Sequence, residues 1–345
     1  MHATDEDWLA AFQAACETLG LESRIIPIQR SDWLRQTSDL DAFVWRPHMC
    51  EPSTMSEIRT KMPLLESTGI RCFPNSLMLW LYDDKIRETY FLRQHGYPMP
   101  QTFVSFDEQE ARDFVRTARY PLVAKTHMGA AACGVTLVHS PGDAERLVRR
   151  VFVPQTVWDK ALVKFYFEPM LSKGNFLVAR RFRFRDVCPR YVYFQEFIPA
   201  DGDWRITTLG SDLISCFVRR NRPGDFRASG GGVFEELDEK DLPTEACDLA
   251  LHISNRHGFT SMAYDFMQSS KGWVIGEMSY TFALNPIYTQ TLFSRVAGVY
   301  RKTNSIPICV MHLEAMREQV ERGATLTAAQ ASQPAPRSPI SRVRA

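Results

Sequence analysis

Two acidic residues in apolar surroundings are the first candidates for chemistry. Asp265 lies in SMAYDFM and Glu277 in WVIGEMSY, and a turn at Ser269 to Gly272 joins these runs as an antiparallel hairpin. A carboxylate in such a place is costly unless it is hydrogen-bonded, paired or bound to a cation. Two of them meeting across a hairpin suit Mg²⁺, which takes few protein oxygens and completes its octahedron with water and phosphate. The residues leave a plainer alternative open, in which each acid pairs with a nearby Arg or faces solvent. Arginines are dense upstream, at Arg205, Arg219, Arg220, Arg222 and Arg227. Their guanidinium forks suit a triphosphate or an acidic substrate, and equally a solvated face. Between Arg222 and Gly232, RPGDFRASGGG could bring backbone N–H groups to an anion, or form only a surface loop.

A second candidate is Lys125, placed before the small-residue loop of YPLVAKTHMGAAACGVTLVHS. Gly129 and Gly134 have the spacing that opens a P-loop, but Val135 and Thr136 stand where that motif needs Lys and Ser or Thr. A P-loop also leads into a helix, whereas VTLVHS continues as a strand. What remains is a turn between two strands, either a plain hairpin or a cover over phosphates. Further on, YFQEFIPADGD is an apolar strand that leaves through Pro into an acidic segment. A strand end can bind an adenine edge through its backbone, with a later acid on the ribose; an ordinary strand fits the residues as well. The histidines form no HxxxH pattern, there is no GxSxG, and no Cys/His arrangement supports covalent catalysis.

These residues must be positioned by a chain of 345 residues, 45% hydrophobic, which suits more than one core. A formal net charge of +1 offers no global attraction for nucleic acid or an anionic membrane. Eight cysteines are scattered without CxxC or metal-type spacing, as in a reducing compartment. The acidic N-terminus does not resemble a signal peptide, and no run of about 18 apolar residues occurs. A cytoplasmic protein is expected. Trp8, Ala11, Phe12, Ala15 and Leu19 predict a helix ending at Gly20. RIIPIQ, DAFVWRP and IRCFPN predict strands, with helical DWLRQT and SEIRTKMPLLESTG between them, giving a small, mostly parallel βαβ sheet. LYDDKIRETYFLRQHG predicts one helix. From about residue 120 strands dominate: PLVAKTH, GVTLVHS, ALVKFYFEP, NFLVARRFRF, RYVYFQEFI, WRITTLG and LISCFVRR, followed by a helix over 243–257. The last residues, ASQPAPRSPISRVRA, read as a disordered tail.

The serial order of these pieces carries a resemblance. TGIRCFPNSLMLWLYDDKIRETYFLRQHGYPMPQTF, VAKTHMGAAACGV, VYFQEFIPADGDWRI, FVRRNRPGDFRASGGG and AYDFMQSSKGWVIGEMSY resemble, in order, the motifs of ATP-grasp ligases of the RimK-like branch, over residues 68 to 285. The resemblance implies an α/β (α+β) ATP-grasp fold. It would have an N-terminal βαβ domain over 1–82 and a central helix and lid subdomain over 83–190. An antiparallel C-terminal subdomain with the metal site would span 191–315, followed by a helix end and tail over 316–345. It implies that Lys85 and Lys125 contact the phosphates of ATP under a flap bounded by Gly129 and Gly134. Glu196, Phe197 and Ile198 would form the adenine hinge and Asp203 would approach the ribose. Arg219, counted back from Gly224, would be the triphosphate Arg, and Arg227 would serve the acyl phosphate or acidic substrate. Asp265 and Glu277 would hold Mg²⁺. Ser279 and Ser229 stand where the branch has Asn, although a hydroxyl can still ligate a metal or orient its water. The implied activity is ATP-dependent ligation of a small-molecule carboxylate to an amine (or thiol), amino acid or peptide among them, releasing ADP and phosphate. A kinase of the same fold and a nucleotide-binding protein without turnover stay open as alternatives. A homo-oligomer is compatible; nucleic-acid and membrane partners are not expected.

Overall fold

Helical spacing of Trp8, Phe12 and Ala15 buries one stripe of α1 (Asp5–Leu19), and Gly20 ends the helix in the left-handed region at φ 64°. The computed structural model describes residues 5–46, 52–127, 134–152, 190–222, 224–228, 233–282, 285–303 and 306–331. After the single turn α2 (Trp33–Gln36), β1 (Ala42–Val44) pairs in parallel with β2 (Arg71–Phe73), and α3 (Pro52–Ser67) connects them. The strand expected over RIIPIQ does not form. Pro27 has no N–H for a ladder, and its carbonyl accepts from Arg30 in a turn instead. Among the described residues the parallel sheet therefore has only the strands β1 and β2.

LYDDKIRETYFLRQHG, read as one helix, is divided. α4 (Ser76–Leu81) stops, Asp83 adopts φ 52°, and Asp84 caps α5 (Lys85–Gln94) by accepting from the N–H groups of Ile86 and Arg87 at 3.1 Å each. The short acidic side chain competes with helical hydrogen bonds and serves better as a cap. Lys85 thereby becomes the first residue of α5.

Among the described residues, β3 (Thr102–Ser105), β4 (Leu122–Lys125), β5 (Val135–Val138) and β6 (Val192–Glu196) form a four-stranded antiparallel sheet in the order β3-β6-β4-β5. α6 (Glu108–Thr117) and α7 (Pro141–Phe152) cover it, burying Ala111, Val115, Ala144 and Val148 against Leu122, Val138 and Phe194. β6 completes this sheet, so it draws on both sides of residue 190. The loop over 128–133 with Gly129, the strands expected in ALVKFYFEP and NFLVARRFRF, Ser229 with Gly230 to Gly232, and all but the first residue of the expected tail lie outside the described residues.

The largest sheet holds seven strands among the described residues. β7 (Gly202–Leu209), β8 (Leu213–Arg220), β9 (Phe234–Glu236), β10 (Ser261–Ser269) and β11 (Gly272–Ser279) carry Asp203, Asp265 and Glu277 and most of the candidate arginines. β12 (Leu292–Val296) and β13 (Val299–Lys302) extend it, giving the order β11-β10-β7-β8-β12-β13 with β9 beside β8. One face buries Ile206, Cys216, Tyr264 and Phe266 with Ala246, Ala250 and Ile253 of α8 (Thr244–His257). The other face is divided along its length. After the short α9 (Ile287–Gln290), α10 (Ile308–Ala331) joins α1 in covering Leu209, Phe217 and Ala263. Burying a side chain such as Phe12 or Met311 there is worth about 1.5–3 kcal/mol, so both ends of the chain hold the sheet's apolar half. The remaining half of that face is charged. No helix among the described residues is long and apolar enough to cross a membrane.

Candidate functional site

Strand register gathers the charged half. Asp203 pairs with Arg219 across β7 and β8, and Arg205 pairs with Asp265 across β7 and β10. Alternate residues share a face, so these four point the same way. Glu277 joins them only through an irregularity. Phe266 pairs with Ile275, but Asp265 pairs with Glu277, which leaves Gly276 as the extra residue of a β-bulge. An uninterrupted register would set Gly276 opposite Asp265 and turn Glu277 to the core face beside Tyr264. A Cβ at Gly276 would approach the Met267 methyl at 2.8 Å, a contact the flexible end of that side chain can relieve by shifting.

The anions and cations here are closely interlocked. Arg219 holds Asp203 by two parallel bonds, Nε to Oδ1 at 2.6 Å and Nη2 to Oδ2 at 2.7 Å, while its Nη2 also lies 2.6 Å from Asp265 Oδ2. Arg205 approaches the other oxygen of Asp265, with Nε 2.5 Å from Oδ1. Burial raises the pKa of Asp265, but the charges of Arg205 and Arg219 outweigh it and hold the carboxyl below its usual range. Burial and the charge of Asp265 push Asp203 upward. Gly202 permits this close approach, since a Cβ there would lie 2.3 Å from the Arg219 carbonyl oxygen. We expect Gly202→Ala to cost about 1–3 kcal/mol by overpacking and to draw Asp203 off Arg219. Urea unfolding measures this, and wild-type stability would show that β7 and β8 part without penalty.

A second cluster lies between α5, the four-stranded sheet and β11. The Lys85 N–H donates to the His127 carbonyl at 2.8 Å, tying the start of α5 to the end of β4. The buried Lys85 side chain is disfavoured as a cation by burial, yet Glu277 and Glu88 outweigh this and raise its pKa. Glu88, also buried, is pushed well above its ordinary value by burial and by Glu277, and accepts from the Met278 N–H at 3.2 Å. Lys125 is half-buried, with its Nζ 6.0 Å from the centroid of the Tyr193 ring. Burial and the charge of Lys85 push it down to about 8. An unfolded lysine titrates near 10.4. Between those values the unfolded chain binds a proton that the folded chain has lost, so stability is expected to rise with pH from about 8 to about 10. Denaturant unfolding across that window checks the sign.

The other expected site residues are placed less closely. Glu196 is doubly tied to Gln101, its N–H donating to the carbonyl at 2.8 Å and its Oε1 accepting from the N–H at 2.7 Å. Phe197 stands edge-on to Phe226, centroids 5.9 Å apart, so the segment at 196–198 touches the loop that carries Arg227. Arg227 is clamped on its own loop by Asp225, with Nη2 to Oδ2 at 2.6 Å. Gly134 closes the β4–β5 hairpin, its carbonyl accepting from Thr126 at 2.8 Å. Ser279 shares the face of Glu277, and its hydroxyl oxygen accepts from the Thr281 N–H at 3.1 Å in a local turn. Glu88 and the pairing role of Arg205 were not recognised in the sequence. The signal for Glu88 was its position one helical turn after Lys85.

Among the described residues no group of three or more His, Cys, Asp and Glu offers a metal site. A cation would therefore rest on Asp265 and Glu277, with neutral oxygens completing its shell. That donor set fits Mg²⁺, which is content with few carboxylates, provided Asp265 shares its oxygens with Arg205 and Arg219.

No family model matches the chain. Its curated relatives include a protein described as a probable alpha-L-glutamate ligase of Cellvibrio japonicus, 24% identical over 251 residues, 70% of this chain and 71% of that one. The glutamate–LysW ligase ArgX of Sulfurisphaera tokodaii is 24% identical over 235 residues, 66% of this chain and 71% of its own. Among solved structures, a RimK domain ATP-grasp protein of Sphaerobacter thermophilus superposes with a TM-score of 0.57 at 18% identity, covering 89% of this chain and 94% of that one. The D-alanine–D-alanine ligase of Bacillus anthracis, complexed with ATP, gives 0.54 at 14% identity over 91% of each chain. At such identities the superpositions speak for the fold, and the curated relatives and the ordered motifs agree with it. The chain has the ATP-grasp fold, and in sequence it is similar to the RimK-like ligases.

Proposed function

We propose that the protein is an ATP-dependent ligase that joins a carboxylate to an amine through an acyl phosphate. The observation that carries this reading is the convergence of Lys85, Glu277, Arg219 and Asp265 on one end of one sheet face, with Lys125 beside Lys85. In this reading a substrate carboxylate oxygen attacks the γ-phosphorus of ATP, and the bond to the β-phosphate oxygen breaks to release ADP. The amine then attacks the acyl carbon, phosphate leaves with the C–O electron pair, and the amine's surplus proton passes to solvent. No protein nucleophile is needed. Lys85 and Lys125 would offset phosphate charge, Arg219 would reach the transferring group, and Glu196 to Ile198 would receive the adenine, with Asp203 toward the ribose. Asp265, Glu277 and Ser279 would hold Mg²⁺, which supplies charge stabilisation on the phosphates. Arg227, released from Asp225, would meet the acidic substrate. The glutamate ligases among the relatives support an amino acid as one partner.

Incubation with ATP, Mg²⁺, candidate acids and hydroxylamine tests this directly. A hydroxamate formed with stoichiometric ADP supports the ligase; ADP with a phosphorylated hydroxyl compound would favour a kinase, and no nucleotide binding would sink both. Lys125 gives a further expectation. Its charge is lost above about pH 8, so nucleotide affinity should fall as pH rises from 8 to 9. Lys125→Ala should bind more weakly and show no such fall. Identical pH profiles in both proteins would remove Lys125 from the phosphate site.

A further inference from the structure

One guanidinium is buried where no carboxylate among the described residues neutralises it. Arg46, just beyond β1, is 5% exposed. Its Cζ lies 3.5 Å from the centroid of the Trp8 ring and 5.3 Å from that of Phe282, and its Nη2 donates to the Phe282 carbonyl. Nε and Nη1 find no hydrogen-bond partner among the described residues. The groups that face it are the phenols of Tyr82, Tyr280 and Tyr288, the Cys309 thiol and the His312 imidazole. Burial pushes the guanidinium down to about 10, so it remains charged at neutral pH. By contrast, buried Arg219 and half-buried Arg205 each face carboxylates. An isolated buried cation is strongly unfavourable unless an anion accompanies it.

Other polar atoms in the same aromatic cluster are equally unmet. The Trp8 indole N–H and both ring nitrogens of His312 have no partner among the described residues. Trp8 and His312 both pack on Phe282, at centroid distances of 6.2 Å each. Burial and the charge of Arg46 push His312 down to about 3, so its ring is neutral. Stacking on Trp8 occupies a flat face of the guanidinium and leaves the edge with its Nε and Nη1 donors. The bond to Phe282 ties Arg46 to the segment that continues from β11, past Glu277 and Ser279.

We propose that Arg46, just beyond the end of β1 and aided by the Trp8 indole N–H, seats the carboxylate of a small substrate. The substrate role rests on the ligase reading; the binding of an anion at Arg46 does not. The class of ligand is a small carboxylate.

The full-length protein and Arg46→Met, with Arg46→Lys as the charge-retaining variant, test this by thermal unfolding and titration calorimetry. The probes are L-glutamate, L-aspartate, succinate and acetate, each against sodium chloride at matched ionic strength. A carboxylate should raise the unfolding temperature of the wild type beyond chloride. Arg46→Met should bind it about 30-fold more weakly or worse, with Arg46→Lys between the two, while nucleotide affinity stays within about twofold of wild type in each. No carboxylate-specific stabilisation, or the same stabilisation in Arg46→Met, overturns the proposal, as does chloride acting as well as any carboxylate. Failure of hydroxamate formation alone would sink the ligase reading and leave these binding results standing.

Discussion

Glu277→Gln is expected to lower ADP formation and hydroxamate yield by about 10³-fold while the protein stays folded and still binds nucleotide, more weakly. Amide and carboxylate are nearly the same shape, so the bulge at Gly276 and the pairing with Asp265 survive. Lys85 loses one of its two nearest anions but keeps Glu88, so the change in stability should be small. What is lost is the anionic oxygen that a phosphate-bound cation would share with Asp265. Mg²⁺ titration of nucleotide binding separates the possible results. A variant with weakened metal dependence and intact metal-free nucleotide binding places the cation at Glu277. Turnover retained at the wild-type rate would put the metal elsewhere.

The largest effect on stability should come from Arg219→Met. The wild-type guanidinium lies between two carboxylates, 2.6 Å from Asp203 and 2.6 Å from Asp265. Arg205 still faces Asp265 in the variant, so the anion left without its partner is Asp203. Breaking a buried pair in this way costs about 3–5 kcal/mol, read by urea unfolding, since a guanidinium salt would screen the charges. The pH dependence carries its own sign. In the variant a carboxyl with a raised pKa takes up a proton more readily when folded, so the deficit should shrink as pH falls from 7 to 5. Wild-type Asp265 is held below its usual range, so its contribution persists over that window and fades only in stronger acid. Adding Asp203→Asn to Arg219→Met should recover part of the loss. A deficit that is flat with pH and unaffected by Asp203→Asn would mean that packing, not charge, is what Arg219 supplies.

Much of the candidate site is legible in the amino acids because it is written locally. Asp265 and Glu277 sit in strand runs around a short turn, and the hairpin follows from alternation and turn residues. Lys125 ahead of a small-residue loop marks the β4–β5 hairpin. The order of the motifs carries the ATP-grasp fold, since it depends on residue types at spacings and not on contacts. Where local reading failed, local rules were in competition. RIIPIQ has strand-forming residues, but Pro27 prevents a ladder; the run over 81–96 has helical periodicity, but Asp84 caps instead of continuing.

By itself, then, the sequence determined the kinds of element, the succession of motifs and the list of candidate acids and cations. Register, burial and pairing were decided only in the folded chain. The bulge at Gly276 sets Glu277 on the site face, and one residue's difference in register would have sent it into the core. The alternative of an acid paired with arginine describes Asp265 as it stands, held by Arg205 and Arg219, which are 60 and 46 residues away by their numbering. Glu88 and Arg46 are ordinary charged residues in the sequence, and they become exceptional through being buried. The physical reason is the same in each case. The energy of a charge depends on what surrounds it, and its surroundings come from distant parts of the chain that only tertiary packing brings together.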